Sequence, residues 1–242
     1  MVIKVVGIEE LFLKQRHINL WSENKIYPFN SKEYFKLLNP EYQSLDNKKN
    51  QERLEILKLL SNIKNTNYLV LPKDIYVTAN KILGYTMPVA KGKNLEDFTD
   101  NISYQKIIMA LSNLLVEIKI LSDMGIFNPD IWSDNVLFDV NNLYLIDFDA
   151  SIFFNDQDLS YKMMGMSLFN LVLDKIIASF DLDILKDKDI NYIKLGIDSL
   201  KTTDYIAFLN LLKIKLNKIN NENIKTVGQV RKVLKLVENG HN

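Results

Sequence analysis

The sequence predicts an α+β protein, with a small β-rich part followed by a larger helical part. Two observations carry this. Before residue 90, short β-type runs alternate with turns at 2–6, 10–14, 18–21, 25–29, 68–71, 75–78 and 82–89. After residue 91, apolar residues recur at helical spacing over much longer stretches. One helix interrupts the first part. Over 47–63, Leu54, Leu57 and either Leu60 or Ser61 share a face, with Glu52, Glu55 and Lys58 interleaved. Lys91-Gly92-Lys93 forms a polar break, so the predicted domains are 1–90 and 91–242. In the second, 103–124 places Ile107, Ile108, Leu111, Leu115, Ile118 and Leu121 on one stripe, and Gly125 is placed to end that helix. A strand, a turn and a strand follow over 136–138, 139–142 and 143–146. Helices are then predicted over 163–177, 204–219 and 226–238.

Composition narrows the chemistry. The 242 residues, 47% apolar and 10% aromatic, are enough for a substantial core. Thirty basic and thirty acidic residues cancel, which excludes the uniform positive field of a protein held mainly to nucleic acid or anionic lipid. Without cysteine there is no disulfide, thiolate metal site or cysteine nucleophile, and His17 and His241 are the only imidazoles. Lys4, Glu9 and Glu10 punctuate the first residues, and no uncharged apolar run reaches about twenty residues. The expectation is a cytoplasmic protein without membrane insertion.

Residues 123–160 contain eight aspartates and neither lysine nor arginine. Carboxylates crowded without cations repel one another, so they spread over solvent or collect a divalent ion. Asp139, ahead of Asn141-Asn142, reads as a turn residue, and Asp156 and Asp158 read as loop and helix-start carboxylates. Asp130, Asn135 and Asp147 differ. If 136–138 and 143–146 pair as a hairpin, the residues before the first strand and after the second meet at one end. The Asn135 amide oxygen and the Asp147 carboxylate could then share a hard cation, leaving Asp130 to accept a proton.

Gly125-Ile-Phe-Asn-Pro-Asp130-Ile-Trp-Ser-Asp-Asn135-Val-Leu-Phe, followed by Leu145-Ile-Asp147-Phe-Asp149, resembles the catalytic loop and metal motif of the protein-kinase-like superfamily. The resemblance implies a two-lobed protein-kinase-like fold, an α+β architecture with a small β-rich N-lobe carrying one helix and a larger helical C-lobe. It places the regulatory helix at 47–63, the catalytic loop at 128–135, the metal motif at 147–149 and the buried helix after the activation segment at 163–173. It further implies Asp130 as catalytic base, Asn135 and Asp147 as Mg²⁺ ligands, and ATP between the lobes. Hinge backbone groups at Met87, Val89 and Ala90 would face the adenine.

The chain also departs from the family. No glycine lies between Gly7 and Gly84, so the phosphate-covering glycine loop is missing. Aligning Lys25-Ile26-Tyr27-Pro28-Phe29 with the strand that ends in the ATP-binding lysine puts Pro28 at the lysine position. Lys14, Lys25 and Lys32 are the substitutes, with Lys25 preferred. Glu52 and Glu55 compete as its helix partner, although the best register places Arg53 there. Asn128-Pro129 replaces the usual His-Arg or His-Gly, Trp132 stands where many members carry a lysine, and Asp149 replaces a glycine. Only about ten residues separate Asp149 from a helix expected to start near Ser160, too few for the usual peptide-binding platform. Met163, Met164 and Met166 read as core, and the lysines of 213–235 as a solvated helix face.

Three functions follow in order of preference. The first is an atypical ATP- and Mg²⁺-dependent phosphotransferase acting on a protein. The second is a pseudokinase that binds or scaffolds a protein partner without phosphotransfer. The third is a small-molecule kinase resembling the aminoglycoside and choline phosphotransferases.

Overall fold

The computed structural model describes residues 1–11, 24–95, 98–178 and 180–240. The predicted run 18–21, the substitute Lys14 and both histidines lie outside these residues. In chain order the elements are β1 (Val2–Lys4), β2 (Lys25–Pro28), β3 (Glu33–Leu37), α1 (Lys48–Asn62), β4 (Ile75–Val77), β5 (Ile82–Pro88), β6 (Lys93–Asn94), α2 (Tyr104–Asp123), β7 (Ile126–Phe127), β8 (Val136–Phe138), β9 (Leu143–Leu145), β10 (Ile152–Phe153), α3 (Gln157–Ile177), α4 (Lys188–Asp198), α5 (Tyr205–Asn220) and α6 (Val227–Glu238). The chain is α+β, and it divides into two compact units. The first unit is Met1–Ala90 joined by Asn128–Asp130 and Ile146–Phe153; the second comprises Lys91–Phe127, Ile131–Leu145 and the chain from Phe154 onward. Both motif segments that pack with the first unit fall, by sequence, in the predicted domain 91–242.

The first unit is built on a five-stranded sheet in the order β1-β4-β5-β3-β2. β1 lies parallel to β4, and the other pairs are antiparallel. β2 is the outermost described strand on its side, where the missing N–H of Pro28 is tolerated. Side chains alternate along β3. Phe35 enters an apolar cluster with Leu11, Tyr76 and Leu83, its ring 5.4 Å from that of Tyr76 and nearly perpendicular to it. Lys36, the next residue, therefore points to the opposite face, directly across from Tyr85 of β5. β5 approaches β3 closely: a Cβ on Gly84 would lie 1.9 Å from the Lys36 carbonyl oxygen.

Helix α1 follows the 47–63 expectation. Asn47 caps it by accepting from the Lys49 N–H at 2.9 Å, and Ile56, Leu57 and Leu60 form its buried stripe. Asn50 fastens the first turn by donating to the carbonyls of Glu41 (3.1 Å) and Ser44 (3.0 Å). Residues 68–71 form no strand, although Leu69, Val70 and Leu71 are buried.

In the second unit, Ser103 caps α2 and the predicted apolar stripe is buried throughout. Gly125, at φ +70°, turns the chain out of that helix. Phe169 of α3 packs against Tyr205 and Phe208 of α5, each at 5.4 Å. Met164 is fully buried, as core packing requires. Asp156 caps α3, which begins at Gln157, earlier than predicted. Helix α4 escapes sequence reading because it buries only Ile190 and Ile197 and leaves Tyr192 and Leu195 exposed. No described helix is long and apolar enough to cross a membrane.

The β8–β9 hairpin turns on Asp139. Its carboxylate accepts from the N–H groups of Asn141 (3.1 Å) and Asn142 (2.8 Å) and from the Tyr144 hydroxyl (2.7 Å). Burial pushes its pKa up, but these hydrogen bonds outweigh burial and hold it below the usual aspartate range. A depressed carboxylate contributes stability that is present above its unfolded pKa of about 3.9 and is lost as pH falls through the folded value. Asp139→Ala is expected to cost about 1–2 kcal/mol in urea unfolding at pH 7, and the deficit shrinks below about pH 4. Gly84→Ala forces backbone apart and is expected to cost about 1–3 kcal/mol in the same measurement.

Candidate active site

Lys36 is the centre of the site. Only 2% of its side chain is exposed, and its ammonium bonds Asp147 Oδ1 at 2.6 Å and Asp149 Oδ2 at 2.7 Å. Burial alone would lower its pKa, but the carboxylates of Asp149 and Asp147 more than offset it and hold the ammonium above the usual lysine range. Asp149, 6% exposed, is pushed up by burial against the pull of Lys36. It also accepts from the Tyr85 hydroxyl at 2.6 Å and from Asn24 Nδ2 at 3.0 Å. Burial and the neighbouring Asp149 carry the Tyr85 pKa well above its usual value, so the phenol keeps its proton and remains a donor.

The lysine differs from the one expected. Lys25 is exposed at the start of β2, whereas Lys36 occupies the interior of β3. The strand Glu33–Leu37 escaped the sequence reading because a lysine at an inward position breaks the apolar alternation that marks a strand. A usable signal was present: Asn30 and Ser31 make a turn after β2, and Lys36 is a single charge within Tyr34-Phe35-Lys36-Leu37-Leu38.

The helix partner differs as well. Glu52 and Glu55 are exposed and pair with Lys48 (3.9 Å) and Lys58 (2.6 Å) of their own helix. Arg53, the residue placed by the best register, turns toward the site and donates from Nε to the Asp149 carbonyl oxygen at 2.9 Å. Its guanidinium lies 4.3 Å from the Tyr42 ring centroid and also bonds Asn50 Oδ1.

Asp147 has φ +64°, a left-handed conformation uncommon for a residue with a Cβ. Two hydrogen bonds accompany it: Asn128 Nδ2 donates to the Asp147 carbonyl at 3.0 Å, and the Asp149 N–H reaches Asp147 Oδ1 at 3.4 Å. The buried Asn128 also accepts from the Asp130 N–H at 3.1 Å through its Oδ1. One asparagine thus orients both aspartates. Asp130, Asp147 and Asp149 line a cavity of about 430 Å³ with Asn24, Tyr42 and Arg53.

Asn135 and Trp132 belong to the second unit. Asn135 is half-buried in a single turn, its N–H donating to the Trp132 carbonyl at 3.0 Å, and Trp132 is 64% exposed. Of the expected adenine-facing groups, Met87 is buried in β5, Val89 is exposed with its N–H donating to the Lys32 carbonyl at 2.9 Å, and Ala90 is half-buried. A larger cavity of about 680 Å³ opens in the second unit beside Leu173, Asp174, Asn191 and Lys194, but none of the motif residues lines it.

Among the described residues, no three His, Asp or Glu side chains gather into a metal cage. Mg²⁺ needs only one or two protein oxygens, and the carboxylate of Asp147, 25% exposed, is a donor of that kind. Comparison with protein-family models and with curated proteins returns no match for this chain.

Lys36→Met strands the buried Asp149 without its cation and is expected to cost about 3–5 kcal/mol in denaturant unfolding. With its folded pKa above the unfolded one, Asp149 contributes stability that is present at low pH and lost as pH rises through the folded value. The Lys36→Met deficit is therefore expected to shrink on acidification toward pH 4, and adding Asp149→Asn is expected to reduce it at pH 7.

Proposed function

We propose that this chain is an atypical ATP- and Mg²⁺-dependent phosphotransferase of the protein-kinase-like fold. The observation that carries this reading is that Asp147, ion-paired to the buried Lys36, lines one cavity with Asp130. The lysine held against the metal-motif aspartate comes from a strand that the resemblance had not singled out. Asp147 would hold Mg²⁺, which would supply neutralising charge along the phosphate chain.

The chain's own residues supply the rest. Lys36 holds the carboxylates of Asp147 and Asp149 in place, and Asp130 accepts the proton of the acceptor hydroxyl as the hydroxyl oxygen bonds to the γ-phosphorus. The bond from that phosphorus to the β-phosphate oxygen breaks, and ADP leaves. Asn128 keeps Asp130 and Asp147 in their mutual orientation. A protein hydroxyl is the acceptor in this reading. A second reading, with a small hydroxyl compound as acceptor, is supported by one observation: α3 starts at Gln157, so only residues 150–156 separate it from Asp149.

Turnover of ATP and transfer of labelled phosphate, with Mg²⁺ or Mn²⁺ and with protein, aminoglycoside and amino-alcohol acceptors, test the proposal. Asp130→Ala is expected to lower kcat by about 10²–10⁴-fold. Wild-type turnover no higher than that of Asp147→Ala defeats it. Thermal stabilisation by Mg·ATP, about 2.7 kcal/mol at a hundred times Kd, without any turnover would make the chain a nucleotide-binding pseudokinase instead.

A further inference from the structure

We infer that the Arg53 guanidinium is the phosphate-binding group of this cavity; identifying the anion as a nucleotide's phosphate chain rests on the phosphotransferase reading. Arg53 is half-buried on α1, yet its hydrogen bonds go to neutral acceptors, the Asp149 main-chain oxygen and the Asn50 side-chain oxygen. Among the described residues, no carboxylate forms an ion pair with it. Burial disfavours its charged form, although a guanidinium stays protonated in a protein. Lys36, the site's other cation, already bonds two carboxylates. Arg53 is therefore the cavity cation whose hydrogen bonds go to neutral oxygens, while the charge of the nearby Asp149 carboxylate favours its protonated form.

That cation is also held still. Asp149 fixes Nε, Asn50 fixes one terminal nitrogen and the Tyr42 ring supports the guanidinium plane. A planar fork fixed in this way matches two phosphate oxygens, and little freedom is lost on binding. Two other means of holding phosphate are missing from this chain. No glycine lies between Gly7 and Gly84 to bring bare backbone to the phosphates, and the exposed Trp132 cannot carry charge. Asp130 and Asp147 in the same wall repel a bare phosphate, so the anion enters with a divalent cation.

Titration calorimetry with Mg·ATP, Mg·tripolyphosphate and adenosine on wild type, Arg53→Met and Arg53→Lys tests this. Arg53→Met is expected to weaken both phosphate ligands about ten- to hundredfold and leave adenosine unchanged, with Arg53→Lys in between. Phenylglyoxal labelling of wild type, read by mass spectrometry over the three arginines 16, 53 and 231, gives an answer even if Arg53→Met does not fold. Mg·tripolyphosphate is expected to protect Arg53 and leave Arg231 unprotected. Binding of tripolyphosphate through Arg53 without affinity for ATP would uphold the anion site and remove the nucleotide reading. Undiminished ATP binding and turnover by Arg53→Met would overturn the anion site and keep the phosphotransferase. Absence of Arg53 protection by either phosphate ligand overturns the inference outright.

Discussion

A lysine ammonium removed from water has to find negative charge, and that requirement organises the first unit. Lys36 meets two carboxylates, one of them almost as buried as itself. Asp149 in turn needs more than one donor, and Tyr85 and Asn24 supply them. The segment Ile146–Phe153 therefore packs with the sheet of Met1–Ala90, although more than fifty residues of chain separate them. Gly84 belongs to the same arrangement, because only a residue without Cβ lets β5 approach the Lys36 backbone.

Two departures from the family motif become intelligible together. The resemblance calls for a glutamate on the helix and a glycine at the end of the Asp-Phe-Gly triplet. Here the helix presents Arg53 and the triplet ends in Asp149. A carboxylate that partners the buried lysine comes from the turn after β9, and the helix contributes a cation that binds the same residue's carbonyl. Without Asp149, Lys36 would keep only the more exposed Asp147 as its counter-anion. Asn128 likewise uses its amide to tie the Asp147 carbonyl to the Asp130 N–H.

Much of this was legible in the residues. The helices at 47–63 and 103–124, the hairpin around Asp139 and the aspartates of the two motifs are local patterns, set by spacing, caps and turn chemistry. Asn47, Ser103 and Gly125 mark helix ends because they satisfy or redirect backbone groups within a few residues. β3 and α4 were not legible for opposite reasons. An inward lysine interrupts the apolar alternation of one, and outward Tyr192 and Leu195 blur the stripe of the other.

By itself, the sequence determined the helices at 47–63 and 103–124, the polar break near residue 91 and the candidate acids Asp130 and Asp147. Each of these depends on neighbours within one or two turns of chain. Which lysine meets those acids, and that Arg53 faces the cavity while Glu52 and Glu55 face solvent, was decided by tertiary structure alone. The physical reason is that an ion pair depends on distance through space, and strand register and helix rotation bring the groups together only once the core has packed.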